Sequence, residues 1–518
     1  MATRREHGTR RGDVGRGLAV TARERRVLDQ YLERYAEPEA AYAEELTERY
    51  RAAIVAPLCG ESPGTLEDWQ GALLADERAA TEPVLWIAVV NGREDAADDV
   101  LRANDELLET WRRSSRVVRR LSLPQRYLAS AASAAEASAA EAPARTSTRA
   151  PAAAELLVRG EGAHHVLLID ASSAGHRFPR KQGVGLARRI GCDVAVALAR
   201  RGLLQARYVG AADGDATLLS GYVRALERPP GSTAALFPFE HVSGGDERVL
   251  EATRLVECSW RHYVLGLAWA GSPFAFQTVG SCLAPEIVAY SQARGFPRRE
   301  AGEDFHLLAK LAKLGEVECL AEPVVRLTAR VSSRVPFGTG PAVQRALADP
   351  DGVAHRCGPA RPGERARLHD PRVFVALRRL VESLSALADP AAASSPDEPG
   401  DLPEAVAALV REQVRSWSQR LAPRLAACPT AAHRRRRVFE AFDALATLQA
   451  IHAFRDAGLP PIPWRDALRE APFLEAPLDG SVTQILESMR AAEGRLRARR
   501  GLALPRTSGP DLDDCRLP

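Results

Sequence analysis

Hydrophobic spacing divides this chain into three stretches. From Thr21 to about Leu58, charged and apolar residues alternate at helical period, with Val27, Leu28, Tyr31, Leu32 and Tyr35 recurring on one face. A helical preface is therefore expected over residues 1–80, behind an Arg- and Gly-rich start. Then the pattern changes. Val84-Leu-Trp-Ile-Ala-Val-Val90 is an unbroken apolar run, as is His165-Val-Leu-Leu-Ile-Asp170, and such runs mark strands buried on both faces of a parallel sheet. Ala96 to about Leu123 reads as the helix between them. The tract from Ala129 to Ala154 is built of Ala, Ser, Glu and Pro. It cannot bury enough apolar surface to pack, so a surface insertion is expected at about 128–156, with a weak Ala-rich helix as the alternative. Phe305, Leu307, Leu308, Leu311 and Leu314 return to helical spacing, and this αβ region is expected to run over residues 81–345. Residues 346–518 begin with a Pro-, Gly- and Arg-rich connection and then turn helical, with Val373, Val375, Leu377, Leu380, Val381 and Leu384 in register. A polar linker (Pro390 to Pro403) precedes helices expected at Ala405–Leu421 and Arg434–Ala457. The second carries a stripe of Phe439, Phe442, Leu445, Leu448, Ile451 and Phe454.

At 518 residues the chain exceeds one compact core. Its 46% hydrophobic and 26% charged residues are ordinary for a soluble protein, and a net charge of +3 gives no reason to expect nucleic acid as a partner. Arg434-Arg-Arg-Arg437 and Arg497-Ala-Arg-Arg500 read as solvated helix faces, the alternative being patches that attract phosphates or an anionic membrane surface. The eight cysteines (Cys59, Cys192, Cys258, Cys282, Cys319, Cys357, Cys428, Cys515) form no Cys-x-x-Cys pair. His164 and His165 would point to opposite faces of a strand, so no structural zinc is expected and the thiols read as reduced. The basic start, Met1 to His7, has no apolar core behind it and does not read as a signal peptide. Tyr263 to Pro285 carries no charge, but Gly271-Ser-Pro273, Gln277, Thr278, Gly280 and Ser281 interrupt it. A buried strand-and-loop region is expected there, with no integral membrane segment and a cytoplasmic location.

The chemistry concentrates in two acidic motifs. In Tyr208-Val-Gly-Ala-Ala-Asp213-Gly-Asp215-Ala-Thr217, the carboxylates are two residues apart after a short apolar run. On an extended backbone both reach the same side, where a hard cation takes oxygen ligands. An acidic turn gives the same string. Downstream, Ala301-Gly302-Glu303-Asp304-Phe305 opens a helix, and carboxylates in a first turn are also explained by the helix dipole.

Taken together, the two motifs resemble the donor-site and catalytic-base motifs of soluble bacterial family 2 glycosyltransferases, which have the GT-A fold. Further pieces agree. Val84–Val90 with Asn91-Gly92-Arg93-Glu94 looks like that family's first strand and nucleotide loop, and the strand ending at Asp170-Ala-Ser-Ser173 looks like its Asp-rich loop. Pro179-Arg-Lys181-Gln-Gly183-Val-Gly185-Leu-Ala187-Arg188-Arg189-Ile-Gly191 resembles the helix beside the donor diphosphate, with Arg189 where the family has Asn. Arg330-Val-Ser332-Ser-Arg334 to Gly340 looks like the segment that closes over the phosphates. The resemblance implies a Rossmann-like, mixed but mostly parallel sheet and inverting, hexosyl-type transfer from a nucleotide-sugar donor. Asp213 and Asp215 would hold Mn²⁺ or Mg²⁺, and Asp304 would be the base beside Glu303. Asn91, Glu94, Asp170, Lys181, Gly183, Arg188, Asp213, Arg330 and Arg334 would meet the nucleotide. The acceptor, a glycan, lipid or small molecule, is left open. Glu257-Cys-Ser-Trp260-Arg261-His262-Tyr263 and Trp269 are either its aromatic face or core. Two rival readings are a sugar nucleotidyltransferase, whose signature Val89-Val-Asn-Gly-Arg-Glu94 matches poorly, and a non-catalytic nucleotide-binding or scaffold protein. Against the latter stand the intact Asp213, Asp215 and Asp304.

Overall fold

The computed structural model describes residues 18, 20–65, 83–115, 117–124, 150–159, 164–332, 338–348, 367–389, 402–474 and 480–499. Helix Ala22–Arg34 (α1) starts on a capping box. The Thr21 hydroxyl accepts the Glu24 N–H at 3.2 Å and the Glu24 carboxylate accepts the Thr21 N–H at 2.8 Å, satisfying donors that a helix start leaves open. After a 3-10 turn, Pro38–Glu45, come Ala53–Leu58 (β1), Val84–Asn91 (β2), helix Asp98–Ser114 (α2), Val117–Leu121 (β3) and Ala153–Arg159 (β4). His164–Ala171 (β5), helix Val184–Arg200 (α3) and Gly210–Ala211 (β6) complete the main sheet. Its order is β3-β4-β5-β2-β1-β6, with β5, β2, β1 and β6 parallel and β3 and β4 antiparallel. The fold is thus mixed α/β around a mostly parallel six-stranded sheet.

Two expectations are corrected here. β1 falls inside the stretch expected to be helical and pairs with β2 along its whole length, so the strand at Val84 is the second along the chain, not the first. A short apolar run cannot be told from helix by periodicity, and the helical pattern before it was extended too far. The expected Ala-rich insertion also ends earlier than about residue 156, because β4 begins at Ala153 and pairs with β5 from Asp170 back to His164. Residues 128–149 of that tract lie outside the described residues.

A second layer follows: Ala216–Leu218 (β7), Ala234–Leu236 (β8), Phe239–Val242 (β9), helix Glu247–Trp269 (α4) and Leu283–Pro285 (β10). Helix Glu303–Leu314 (α5), Val317–Cys319 (β11), Val325–Thr328 (β12) and helix Thr339–Ala348 (α6) close it. β7-β12-β9 and β10-β8-β11 form two small sheets. Tyr263 to Trp269, expected as strand and loop, is the last part of α4. That helix is buried on several sides between β9, α6 and the C-terminal helices, so no polar stripe betrays its period.

The C-terminal region comprises Arg372–Ala388 (α7), Glu404–Ala426 (α8), Ala431–Ala441 (α9), Ala444–Asp456 (α10) and Val482–Arg499 (α11). The single helix expected at Arg434–Ala457 is two. Asp443 stops the first and caps the second, its carboxylate accepting the Leu445 and Ala446 N–H groups at 3.1 and 3.0 Å. Leu445 is therefore exposed, off the expected stripe. α4 and α11 are tied by buried charges. Glu257 accepts from Arg261 at 2.6 Å and Arg490 at 3.0 Å, and Arg261 also reaches Glu493 at 2.8 Å.

One imidazole in α4 has no such partner. His262 is fully buried against Phe374 and Phe473, and among the described residues neither ring nitrogen makes a hydrogen bond. Burial first, and then neighbouring His369, push its pKa down to about 3. The unfolded chain binds this proton below the ordinary 6.5 while the folded chain refuses it, so stability falls as pH drops from 6.5 toward 3. His262→Leu loses no hydrogen bond. Its stability should match or exceed the parent at pH 7 and gain on it by roughly 1.4 kcal/mol per pH unit below 6.5, read from urea midpoints at pH 7, 6 and 5. Parallel pH dependences for the two proteins would refute this.

Candidate active site

The carboxyl ends of the parallel strands converge, and a single side chain fixes three of them. Asn104, fully buried on α2, donates to the Asn91 carbonyl at 3.1 Å and the Ser172 hydroxyl at 2.9 Å, and accepts the Gly60 N–H at 2.7 Å. The loops after β1, β2 and β5 are thereby pinned side by side. Asp170 folds its own loop: its carboxylate accepts the N–H groups of Ser172 and Ser173 at 3.1 and 2.9 Å and the Ser173 hydroxyl at 2.7 Å, as Asp does in Asx turns. Asn91 is buried at the end of β2, whereas Glu94 and Lys181 are exposed on flanking loops. Gly183 starts α3. Two residues on, Gly185 has no room for a side chain, since a Cβ there would lie 2.4 Å from the Pro297 carbonyl. This brings α3 against the loop that leads into α5.

Arg188, one turn into α3 and 2% exposed, joins the two acidic motifs. Its guanidinium donates to Glu303 at 2.9 Å and also to Asp213. Arg330 does the same for the second aspartate, donating from Nε to Asp215 at 2.6 Å and from its Nη atoms to Glu61 at 3.2 and 3.3 Å. Thr328 N–H binds the Asp215 carbonyl at 3.0 Å, so β12 and the Asp-x-Asp turn move together. Asp304 is half-buried in the first turn of α5, which begins after Gly302 in the left-handed region (φ 71°). Its Oδ1 accepts the Phe305 N–H at 2.7 Å.

Glu61, Asp213, Asp215, Glu303 and Asp304 are thus gathered around Arg188 and Arg330, and the crowding of negative charge is felt. Burial raises the Asp215 pKa, opposed by Arg330 and aided by Asp213 and Glu61. Glu303 is pushed up to about 7, by burial first and by Asp304, against the pull of Arg188. Burial alone would lower the Arg188 pKa, but Asp213, Glu303 and Asp304 outweigh it and hold the guanidinium charged. Among the described residues no three His, Cys, Asp or Glu side chains form a ready-made metal cage. A divalent cation nonetheless fits the donor set. Asp213 Oδ2 and Asp215 Oδ1 lie outside the arginine pairing, and Mg²⁺-type ions commonly take one or two carboxylates plus substrate phosphates.

The structure therefore gathers Asp213, Asp215, Arg188, Glu303 and Arg330 in one place, with Asp304 at its edge. Arg334 lies outside the described residues. Glu61 and Asn104 were not anticipated. Glu61 follows the overlooked β1, and Asn104 shares a helix face with Leu107, Leu108 and Trp111, where a polar residue signals a buried task. The proposed aromatic face proves to be packing. Glu257, Cys258, Arg261 and His262 are buried, Trp260 packs near Phe239 and His241, and Trp269 packs against Phe473 and Arg378. Arg189, standing where the family has Asn, faces away from the carboxylates. It pairs with Glu37 at 3.0 Å and donates to the Arg294 and Phe296 carbonyls at 2.9 and 2.7 Å, locking the N-terminal preface onto α3.

The sequence matches no protein-family model and no curated protein. No helix among the described residues is long and apolar enough to cross a membrane.

A carboxyl whose pKa rises on folding destabilises the fold wherever it must ionise. For Glu303 the folded chain holds its proton between pH 4.5 and 7 while the unfolded chain has lost it, so stability declines across that window as pH rises. Glu303→Gln removes this decline. Its urea midpoint should gain on that of the parent between pH 5 and 8, and an unchanged difference across that range would contradict the assignment.

Proposed function

We propose that the protein is a metal-dependent glycosyltransferase of GT-A type, moving a sugar from a nucleotide-sugar donor to an acceptor hydroxyl. The observation that carries this reading is the Arg188 bridge, which brings the Asp-x-Asp and Glu-Asp motifs, distant in sequence, to one spot. The site lies at the carboxyl ends of β5, β2, β1 and β6, where open αβ sheets bind nucleotides.

Asp213 and Asp215 would hold Mn²⁺ or Mg²⁺, which when bound offsets charge on the leaving diphosphate. Arg188 keeps Asp213 and Glu303 at a fixed spacing. Arg330, with fork geometry suited to phosphate oxygens, can exchange Asp215 and Glu61 for the donor. The nucleotide would rest on the loops at Asn91, Glu94, Asp170, Lys181 and Gly183. Asp304 takes the proton of the acceptor hydroxyl. That oxygen bonds to the anomeric carbon from the face opposite the diphosphate, the bond to the diphosphate oxygen breaks, and the electron pair leaves with the nucleoside diphosphate. The anomeric configuration inverts. Cys192, Cys258, Cys282 and Cys428 are free thiols, in keeping with a cytoplasmic setting.

Uridine or guanosine diphosphate with Mn²⁺ should raise the melting temperature, since a ligand bound only by the folded state stabilises it. Chelator, or Asp215→Ala, should remove that shift while leaving the ligand-free melt little changed. A shift of equal size in chelator would end the metal reading. Asp304→Asn should cut the transfer rate about a hundredfold or more with nucleotide affinity unchanged. Normal turnover would reduce Asp304 to a helix-start carboxylate.

A further inference from the structure

Beside the β9 edge of the β7-β12-β9 sheet, α4 and α11 enclose a cleft of about 410 Å³, within the range of small-molecule sites. Its charges are mostly spent internally. His241 bonds the buried Glu257 carboxylate at 2.8 Å, Glu240 is paired with Arg326 at 2.8 Å, and Arg490 is held by Glu257 at 3.0 Å. Arg254 is the exception. It is half-buried, its guanidinium spans the cleft to the Thr483 hydroxyl at 3.2 Å, and among the described residues no carboxylate pairs with it. A guanidinium carries five N–H donors, so a half-buried one bound only to a neutral hydroxyl lacks its natural partner, an anion. Glu247 and Glu487 at the rim, exposed and without ion pairs among the described residues, offer acceptors for hydroxyls.

The cleft adjoins the carboxylate cluster. Val242 in its wall accepts the Ala329 N–H at 2.9 Å, one residue before Arg330. β9 lies two strands from β7, roughly 10 Å at ordinary strand spacing, and β7 begins directly after Asp215. That separation suits a molecule of one or two sugar units.

We propose that this cleft is the acceptor subsite, an assignment that rests on the glycosyl-transfer reading. It takes a polyhydroxylated molecule bearing a carboxylate or phosphate, with the anionic group on Arg254 and hydroxyls on Glu247 and Glu487. Saturation-transfer NMR on the full chain tests it, with D-glucuronate and D-glucose 6-phosphate as anionic probes and D-glucose and D-glucosamine as neutral and cationic ones. At least one anionic probe should bind in preference to the other two. Arg254→Gln should weaken it tenfold or more, and Arg254→Lys, which keeps the charge but not the fork, should weaken it less. Asp215→Ala should leave it unchanged, which separates the cleft from the donor site. Equal binding of D-glucose or D-glucosamine, no binding of either anionic probe, unchanged binding in Arg254→Gln, or loss in Asp215→Ala would each overturn the assignment. The glycosyl-transfer reading fails separately, by absence of nucleoside diphosphate binding with Mn²⁺.

Discussion

Everything at the strand ends depends on one buried guanidinium. Arg188 lies between two carboxylates from distant parts of the chain, and a charge so deeply buried is tolerated only when paired and hydrogen-bonded. Deleting it would leave Asp213 and Glu303 facing each other beside Asp215 and Asp304. Breaking a buried pair in this way typically costs about 3–5 kcal/mol. The surroundings are shaped to keep it in place. Gly185 lets α3 approach the loop before α5, and Gly280 leaves room for the guanidinium itself, since a Cβ there would lie 2.2 Å from Nη1. On the far side of α3, Arg189 ties the helix to Glu37, and Asp193 accepts the Tyr31 and Tyr290 hydroxyls at 2.5 and 3.0 Å.

That arrangement gives the flanking helices a physical purpose. α1 and the following turn press on α3 from outside, setting the helix that carries Arg188. α11 does the equivalent for α4 through Arg261, Glu493 and Arg490, and Gln277 joins Glu493 at 2.7 Å. Glu257 at the centre of this seam is held down to about 2; burial would raise its pKa, but His241 and the arginines more than compensate. It stays ionised wherever the protein is folded at ordinary pH.

The sequence disclosed the elements whose signal is local. β2 and β5 were readable because a strand covered on both faces needs apolar residues at every position, and α5 because Gly302, Glu303 and Asp304 mark a helix start. What was hidden depends on packing. β1 has only six residues, and α4 lost its periodicity by being buried on several sides. The break at Phe442–Asp443 interrupts an otherwise continuous apolar stripe. At the site, Asp213, Asp215, Glu303 and Arg188 were each visible as residue types. Their pairing was not, because a bridge from residue 188 to residues 213 and 303 leaves no trace in spacing.

Asn104 has a mechanical consequence. Three loops from three strands share one amide, so a displacement of any one is resisted by the other two, and the strand ends behave as a single rigid jaw. A change at Asn104 would be felt as a loss of alignment across all three loops at once.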